Sequence, residues 1–564
     1  MNFSYIPVSC LQSTGSTCTV PAKSALTVLA ITWTVWKLLK KLTIKNPLRN
    51  IPGPKSNSYL AGNISDVFNF ESWSYHDALA RDYPGVANIP SVAGSSLLHI
   101  TDPKAMHSIL LKDQHSFDTP EDTFLINNLV FGPGVLSTSG DRHRRQRKLL
   151  NPVFSVAHMR EMVPIFYNVS HKLRDSIRKE VMAGKSEIDA LSWMTRTALE
   201  LIGQSGLGYS FDSLEPGSEP HPFYKAMKNF ITSLQGFWFS RLFILPYTAN
   251  VGTPRLRRFV VDLLPWKKLH YIRDLIDVMH NTSLEIYTAK KRALEQGDEA
   301  LAEQIGMGKD IMSILLKSNL SASGEGKMPE DEIIGQMSTL TFAAMDTTSN
   351  ALSRILHVLS ENQDAQVMLR EEILQAQEEH GELPYDILHQ LPYLDAICRE
   401  TLRLFPPVPY SLRQAKEDTV VPLARPFTAV DGKEMCEIFV PKGTTTFLSI
   451  LACNRDPLVW GPDAAEWKPE RWLSPLPDSV INARVPGVYS HLMTFLGGGR
   501  ACIGFKFSQL EMKVVLCDLL EAFKFESSDK TITWQYNLVV QPTVDELADN
   551  GTRKLQLPLK VSLV

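Results

Sequence analysis

A mainly helical fold is what the sequence predicts, and three segments with apolar residues at helical spacing carry that prediction. Met328–Asn362 reads as one long helix, because Pro329 can open it and acidic residues follow in its first turn. Pro392–Leu404 is a shorter helix that ends before two prolines, and Phe505–Phe523 also repeats apolar residues at helical spacing. We expect these three helices to hold the functional residues.

The composition excludes several classes of protein. The 564 residues are 21% charged and 44% apolar with a formal net charge of -3, which gives no sign of nucleic-acid binding. No repeat or biased tract divides the chain, and Asp212–Pro222 and Lys317–Lys327 are expected to be surface loops. Five of the seven cysteines lie in the C-terminal third without paired spacing, which predicts a reducing compartment and neither a disulfide framework nor a zinc site. These five are Cys398, Cys436, Cys453, Cys502 and Cys517.

The N-terminal segment predicts an association with a membrane. Ser24–Leu39 is apolar and aromatic, and positive charges come directly after it. A spanning helix needs about 20 apolar residues, so an amphipathic helix that lies on the membrane surface stays open as the alternative. The excess of positive charge places the C-terminal side of this segment in the cytosol. We expect residues 1–45 to be an anchor and residues 46–564 to be one large domain, joined through the stiff, proline-rich segment Asn46–Lys55. The charges are Lys37, Lys40, Lys41, Lys45 and Arg49.

Phe495–Gly504 is a glycine-rich loop that delivers Cys502 to the start of the last predicted helix. Its three consecutive glycines allow the backbone to approach something large and flat. A helix N-terminus stabilises negative charge and so favours a thiolate, and Arg500 is a cation available to an acidic group. From these residues alone, a tight turn around a core cysteine is the alternative.

The full pattern FxxGxRxCxG is much more specific than a glycine-rich turn. It resembles the heme-binding signature of the cytochrome P-450 family at every fixed position, namely Phe495, Gly498, Arg500, Cys502 and Gly504. The resemblance implies a bound heme b whose iron is ligated by the thiolate of Cys502.

Polar residues interrupt the centre of the long predicted helix. Asp346 and Thr347 are poor mid-helix residues, because their side chains compete for backbone hydrogen bonds. Ala343 lies four residues before Thr347 on the same face and leaves space there. A helix kink stabilised by threonine back-bonding is an equal alternative from the residues alone. Ala343–Thr348 resembles the oxygen-activating motif of the family, departing at Ala344 where glycine is usual, so Asp346 and Thr347 are the expected catalytic, proton-passing pair.

An acidic residue and two arginines resemble a further element of the family. Glu400 and Arg403 are three residues apart in Pro392–Leu404 and can pair on one helix face, where a surface pair is the alternative. Their segment resembles the ExxR helix of the family, and Pro469–Trp472 resembles its second arginine motif. The resemblance implies a buried ionic network of Glu400, Arg403 and Arg471, which fixes geometry more than it adds stability.

Gly140–Lys148 is a basic run that enters a helix, and a solvated face is the alternative for several of its residues. The run resembles the WxxxR pattern of the family, with His143 in place of tryptophan and Arg147 in register. Arg413 resembles a further residue that contacts the heme propionates in this family. The resemblance implies that His143, Arg147, Arg413 and Arg500 bind the heme propionates, for which arginine has the right geometry.

The resemblance extends from about Pro47 to the C-terminus and implies a mainly α fold with a smaller β-rich lobe. It implies a monooxygenase that oxidises an apolar small molecule with O2. Electrons are expected from a separate protein, because no flavin or nicotinamide domain is recognisable. The resemblance implies that this electron donor is NADPH–cytochrome P-450 reductase, with cytochrome b5 as a further candidate partner. Lys506 and Lys513 are expected on the face that docks this partner. The expected location is the endoplasmic reticulum membrane.

The substrate is expected to be apolar. Residues 143–148 and 342–350 resemble those of fungal microsomal members, many of which act in secondary metabolism, so a terpenoid is favoured. The aromatic cluster of residues 237–244 is expected to be either a membrane-dipping entrance or plain core. By family position, the pocket is lined by Phe117–Leu136, Phe230–Pro246, the Ala343 region, Val408–Leu412 and the surroundings of Val540.

Three rival interpretations stay open. A heme-thiolate enzyme that rearranges peroxides without O2 would typically lack the acid–alcohol pair, which this sequence keeps. A non-catalytic heme-binding protein would not need that pair. A helical membrane scaffold without a cofactor would require the cysteine loop to be a coincidence.

Overall fold

A computed structural model describes residues 47–58, 60–234, 237–297, 299–300, 305–306, 308–321, 327–548 and 551–564, together with Thr32. The chain divides into two compact units, residues 1–49 and residues 50–564. Apart from Thr32, the predicted anchor Ser24–Leu39 lies outside the described residues. In the part of the chain that is described, no helix combines the length and the apolar character needed to cross a membrane.

Helices dominate the larger unit, as the sequence predicts. The first group comprises α1 (Ile64–Val67), α2 (Trp73–Asp82), α3 (Pro103–His107), α4 (Glu121–Phe131), α5 (Gly140–Leu150), α6 (Val156–Met182), α7 (Ala190–Leu201), α8 (Pro222–Leu234), α9 (Trp238–Phe243), α10 (Leu245–Thr248) and α11 (Pro254–Leu263). The second comprises α12 (Lys267–Gln296), α13 (Ile311–Ser321), α14 (Glu330–Glu361), α15 (Gln363–His380), α16 (Tyr385–Leu388), α17 (Pro392–Leu404), α18 (Ile450–Asn454), α19 (Pro457–Trp460), α20 (Asp478–Ala483) and α21 (Phe505–Ala522).

A smaller share of the chain forms strands, and several strand pairings join residues from its two halves. The strands are β1 (Val86–Pro90), β2 (Ser96–Ile100), β3 (Phe117–Asp118), β4 (Glu187–Asp189), β5 (Tyr410–Ala415), β6 (Thr419–Thr428), β7 (Glu434–Val440), β8 (Thr445–Ser449), β9 (Phe523–Ser527), β10 (Ile532–Gln535), β11 (Gln541–Leu547), β12 (Arg553–Leu555) and β13 (Pro558–Leu563). The largest sheet has the order β1-β2-β8-β5-β3, and its β2–β8 pair is parallel. The other sheets are β10-β11-β12, β4-β13-β9 and β6-β7.

The long helix α14 runs through the main hydrophobic core. It packs against α7, α12, α17 and α21, and against β9. Most of its residues are buried on all sides, so a polar residue near its centre needs a partner or an open space. The mainly α architecture with a smaller β-rich part confirms the predicted fold class.

The predicted helices agree closely with the observed ones, and the predicted loops do so less well. Pro392–Leu404 is a helix with the predicted bounds, and the other two predicted helices differ at their ends by one or two residues. The loop prediction was wrong for the first part of Lys317–Lys327, because α13 continues to Ser321 and Asn319 is buried. The Asn319 amide donates to the Met328 carbonyl at 2.9 Å, which ties the chain after the helix to its last turn.

The other predicted loop begins at a buried residue. Asp212 forms an ion pair with Arg196 at 2.6 Å, and the side chains of both are less than a tenth exposed. The segment then runs to the start of α8 without a regular element. Asp212–Pro222 is therefore a loop, as predicted, but one end of it is fixed in the interior.

Candidate functional site

The loop before α21 has a shape that only glycine permits at its tightest point. Gly498 adopts φ +72°, and a Cβ atom there would lie 1.9 Å from the Leu110 carbonyl oxygen. Further along, the Cys502 amide donates to the Phe495 carbonyl at 2.9 Å and closes the loop. Gly504 then precedes the first residue of α21. The five signature residues thus form one closed turn that presents Cys502 at the start of a helix.

Cys502 lies deep in the molecule and yet faces open space. Its residue surface is exposed, although protein surrounds the thiol closely enough for burial to raise its pKa. A hydrogen bond from the backbone of Gly504 and the charge of Arg147 act in the opposite direction and stabilise the thiolate. An exposed cysteine in this position excludes the alternative of a tightly packed core cysteine.

Three arginines gather around this loop, and in the described part of the chain only Arg500 pairs with a carboxylate. Arg500 donates to Asp118 at 2.9 Å and to the Thr138 carbonyl at 2.8 Å. Arg147 donates to the Ala501 carbonyl at 2.8 Å. Arg413 donates to the Leu412 carbonyl at 2.7 Å. Among the described residues, neither Arg147 nor Arg413 forms an ion pair with an acidic side chain.

The electrostatics of this group show an excess of positive charge. Burial, followed by the charge of Arg500, lowers the pKa of Arg413 to about 10. Burial and Arg500 likewise lower the pKa of Arg147. The pKa of His143 is lowered to about 4, first by burial and then by Arg500 and Arg147, so this histidine is neutral at pH 7. A buried guanidinium group at Arg413 and a half-buried one at Arg147, both without an acidic partner, are costly, and they suit a ligand that brings two carboxylates.

The centre of α14 is open on one face. Ala343 is exposed and Thr347 is half-buried, although residues on both sides of them along the helix are buried. The Thr347 hydroxyl donates to the Ala343 carbonyl at 2.7 Å, which is the back-bonding that the alternative interpretation expects. The resemblance to the oxygen-activating motif predicts the open face. The helix therefore shows both the threonine back-bonding and the open face.

Asp346 faces away from that opening. It is 9% exposed, and the side-chain amide of Gln541 donates to its two carboxylate oxygens at 3.2 and 3.3 Å. Burial raises the pKa of Asp346 to about 6, against the lowering effects of Lys228 and Gln541. Asp346 and Thr347 are adjacent along the chain, but their side chains contact different partners.

The predicted ionic network is buried, so a surface pair is excluded. Arg403 donates through two nitrogens to Glu400, each at 2.8 Å, and both side chains are fully buried. Trp472 donates to the same carboxylate at 2.9 Å. Arg471 lies 3.4 Å from Glu400 and closer to Asp463, at 3.0 Å, so it is shared between two acids.

Asn454 connects this network to the cysteine loop. Arg403 donates to the Asn454 carbonyl at 3.1 Å. The Asn454 side chain accepts from the Met493 amide at 2.8 Å and donates to the Thr494 hydroxyl at 2.9 Å. Thr494 directly precedes Phe495, the first signature residue. No local pattern in the sequence points to Asn454, because its partners lie about 40 positions away along the chain.

Two ionisable residues of helix α21, Lys513 and Glu511, are buried against expectation from the sequence. The prediction that Lys513 lies on a docking face is wrong, since the residue is 1% exposed and pairs with Asp395 at 2.9 Å. Lys506 is half-buried beside the Phe505 ring. Glu511 was missed: it is fully buried, and neither carboxylate oxygen has a hydrogen-bond partner within good geometry among the described residues. Its signal in the sequence is a lone acid within an apolar helix.

Several segments predicted to line a substrate pocket contact one another, and two of them contribute aromatic rings to a cluster with Phe342 of α14. The Phe131 ring lies 4.6 Å from Phe342 and 6.3 Å from Phe230, measured between centroids. The Val540 amide donates to the Pro407 carbonyl at 2.8 Å. Aromatic rings therefore cluster on the side of α14 that includes Phe342, next to the exposed Ala343.

These residues fit a heme. Cys502 offers an exposed thiol, Arg147 and Arg413 offer cations without acidic partners, and Ala343 leaves one face of α14 bare. A thiolate, two carboxylate-binding cations and a bare helix face are the donor set that a heme with two propionates needs.

Comparison with known proteins gives a consistent result along nearly the whole chain. The family model described as Cytochrome P-450 matches residues 52–546. The chain is 48% identical over 537 residues to cytochrome P-450 monooxygenase 91 of Postia placenta, covering 95% of this chain and 98% of that protein. It is 44% identical over 530 residues to a ganoderic acid synthetase of Ganoderma lucidum, covering 93% and 96% of the two chains. The chain therefore belongs to the cytochrome P-450 family, whose members are oxidoreductases of the monooxygenase type that use a heme with a cysteine thiolate as axial ligand.

Proposed function

We propose that this protein is a heme-thiolate monooxygenase that draws electrons from NADPH–cytochrome P-450 reductase and oxidises an apolar, terpenoid-type molecule in fungal secondary metabolism. The observation that carries the proposal is the position of Cys502, which presents its sulfur to an open interior beside cations that lack acidic partners.

The site residues divide the work of holding the cofactor. Cys502 would ligate the iron, and Arg147, Arg413 and Arg500 would bind the propionates, with the neutral His143 available as a hydrogen-bond donor. Phe495, Gly498 and Gly504 give the loop its shape, while Glu400, Arg403 and Arg471 hold its support in place. When bound, a heme with a thiolate ligand supplies the activation of O2 and the oxidising power.

Proton delivery falls to α14. The Thr347 hydroxyl borders the open face and donates its single proton to the Ala343 carbonyl, so its oxygen is available as an acceptor. Rotation of the hydroxyl away from Ala343 would let it donate to a ligand. Asp346 has a pKa of about 6, so it exchanges protons readily near neutral pH. Because Asp346 points toward Gln541, a proton that passes from Asp346 to Thr347 must cross by way of water or a side-chain rotation.

An apolar substrate is supported by the aromatic rings of Phe131, Phe230 and Phe342 beside that face. The similarity to a ganoderic acid synthetase supports a terpenoid-type substrate. The decisive experiment is to feed a panel of terpenoids to cells that express this chain with a reductase. Product formation that requires NADPH and O2 is expected, whereas turnover without NADPH would favour the peroxide-rearranging alternative.

The metal ligand is tested separately. Cys502→Ser protein is expected to lose the strongly red-shifted carbon-monoxide band of the reduced form. A variant that kept this band, or wild-type protein purified without any heme, would contradict the proposal that Cys502 ligates a heme iron.

We also propose that the protein associates with the endoplasmic reticulum membrane through the predicted anchor and a second surface. Helix α11 has no buried residue and exposes Leu256, Phe259 and Leu263, with Arg255 beside them. Phe243 and Ile244 are also exposed, which supports the membrane-dipping interpretation of that cluster over plain core. Apolar residues next to basic ones suit an anionic lipid surface.

Cell fractionation separates the two contributions. Removal of the residues before Arg49 is expected to leave weak, salt-sensitive binding to the membrane pellet. Adding Phe259→Asp to this truncation should release the protein into the supernatant. A doubly changed protein that stayed in the pellet would count against both elements.

A further inference from the structure

A cleft of about 310 Å³ lies apart from the residues assigned to the heme. It is bordered by α2, the later part of α14, the segment after α17, α18 and β10. Its walls include three aromatic rings and two guanidinium groups, and none of its lining residues belongs to the cysteine loop or to the propionate-binding group. The residues that matter are Trp73, Arg354, Phe405, Arg455, Ile532 and Trp534.

Arg354 is the unusual residue in this cleft. It is 9% exposed and makes no hydrogen bond or ion pair with any residue that the structure describes. Its guanidinium carbon lies 3.5 Å from the centroid of the Trp534 ring and 4.4 Å from that of Phe405. Burial lowers its pKa well below the ordinary value, and the charge of Arg455 lowers it further. Contact with aromatic faces offsets part of this cost but satisfies none of the five N–H donors.

Arg455 brings a second cation to the same place. It donates to the Leu404 carbonyl at 2.8 Å and lies 5.5 Å from the Phe405 centroid, so both arginines share one ring. Burial lowers the pKa of Arg455 to about 10. Arg354 is buried and Arg455 is half-buried, so two like charges in one cleft favour a compensating anion.

The charged groups nearby do not supply that anion. Asp77 and Glu361 raise the pKa of Arg455 and Arg354 respectively, but both acids are exposed and pair with neither arginine. His357 accepts a hydrogen bond from the Trp534 indole at 3.2 Å, and burial followed by the charge of Arg354 lowers its pKa to about 4. It is neutral at pH 7, so the cleft is positively charged.

We propose that this cleft binds a small carboxylate with a flat apolar body. The carboxylate oxygens would accept from Arg354 and Arg455, whose planar groups match this geometry. The body would pack on Trp73 and Ile532. A volume of about 310 Å³ is at the small end for ligand sites, which suits a ligand with one or two rings. The aromatic walls disfavour a strongly hydrated anion such as inorganic phosphate.

The test is calorimetric titration of the full-length, heme-loaded protein with 2-naphthoate. Saturable binding is expected, with a Kd at least about tenfold weaker for Arg354→Gln and for Arg455→Gln. The neutral isostere 2-naphthylmethanol should bind at least about tenfold more weakly than the acid. Arg144→Gln, which removes an exposed arginine of α5, is the matched control and should bind like the wild type.

Heme absorbance distinguishes this cleft from the heme site. Naphthoate binding should leave the visible spectrum unchanged and should persist when imidazole saturates the iron. Displacement by imidazole, equal binding by the Arg354 and Arg455 variants, equally tight binding of inorganic phosphate, or no saturable binding would each overturn the proposal. If Arg354→Gln loses its carbon-monoxide band through misfolding, Arg455→Gln and the charge-retaining Arg354→Lys are used to test the proposal instead. The lysine variant should bind 2-naphthoate more weakly than wild type, because lysine lacks the planar guanidinium group.

Discussion

At the scale of single residues, the site depends on which side chains face open space and which have partners. Thr347 and Asp346 are neighbours on α14, yet the hydroxyl borders the open face and the carboxylate contacts Gln541. Their roles in proton delivery must therefore differ. Under the proposed function, Thr347 at the opening would control the last proton transfer, and the buried Asp346 would control the supply of protons.

Thr347→Ala is expected to keep its heme and to lose coupling. Without the hydroxyl, electrons from NADPH should be released as hydrogen peroxide, and product formed per NADPH should fall by a factor on the order of 10², as for loss of a positioned proton donor. Thr347→Ser, which keeps a hydroxyl, is the control and should retain most of the coupling. Peroxide and product measured together decide the matter, and unchanged coupling in the alanine variant would remove Thr347 from the role.

Glu511 gives a second prediction, about stability. Burial raises its pKa well above the ordinary value, while the Thr348 hydroxyl acts in the opposite direction. Because the folded-state pKa is raised, the folded protein keeps a proton that the unfolded chain has lost above its own pKa. Stability therefore falls as pH rises between the two pKa values, by about 1.4 kcal/mol per pH unit for one proton.

Glu511→Gln removes this titration. Its free energy of unfolding should be close to that of the wild type near pH 5 and higher than that of the wild type at pH 8, measured by denaturant unfolding at both values. Glu437→Gln, at an exposed position of β7, should show no such divergence. A difference between Glu511→Gln and the wild type that does not change with pH would show that the carboxyl is not buried as described.

At the scale of elements, the success of prediction depended on how local the signal was. The bounds of α17 follow from its prolines and apolar spacing, and the glycines of the cysteine loop follow from the signature. By contrast, β2 pairs with β8, almost 350 residues away, and no local sequence pattern predicts that pairing. Lys513 was misplaced for a related reason: α21 is buried on nearly all sides, so its lysine finds Asp395 rather than solvent.

Asn454 lies where two elements meet, so its effect should appear in the cysteine loop. Asn454→Ala leaves the buried Met493 amide without its acceptor, which costs about 1–3 kcal/mol. The loop should then hold heme less firmly, seen as a smaller carbon-monoxide band per protein and a lower denaturant midpoint for loss of the heme spectrum. Asn57→Ala, at an exposed asparagine, is the control. Full heme content and an unchanged midpoint would show that Asn454 does not support the loop.

At the scale of the whole molecule, the arrangement of charges makes the protein incomplete without its cofactor. Arg147, Arg413 and Arg500 come from α5, β5 and the cysteine loop, so their mutual repulsion opposes the assembly of three separate elements. Two propionates would convert this repulsion into attraction. Heme binding should therefore stabilise the fold by more than the bond to Cys502 alone, since a ligand bound only by the folded state shifts unfolding by mass action.

Arg413→Gln separates these contributions, because it removes repulsion from the heme-free protein and attraction from the heme-loaded one. The difference in unfolding temperature between the heme-loaded and the heme-free form should be smaller in this variant than in wild type. The heme-free variant should unfold at a higher temperature than heme-free wild type, and the heme-loaded variant at a lower temperature than heme-loaded wild type. Arg144→Gln, on the exposed side of α5, should leave both temperatures in place. The measurement is calorimetric unfolding of both variants, each with and without heme, compared with wild type. If heme-free Arg413→Gln were less stable than heme-free wild type, Arg413 would stabilise the fold through its backbone contacts and would not be a residue whose charge is compensated only by a ligand.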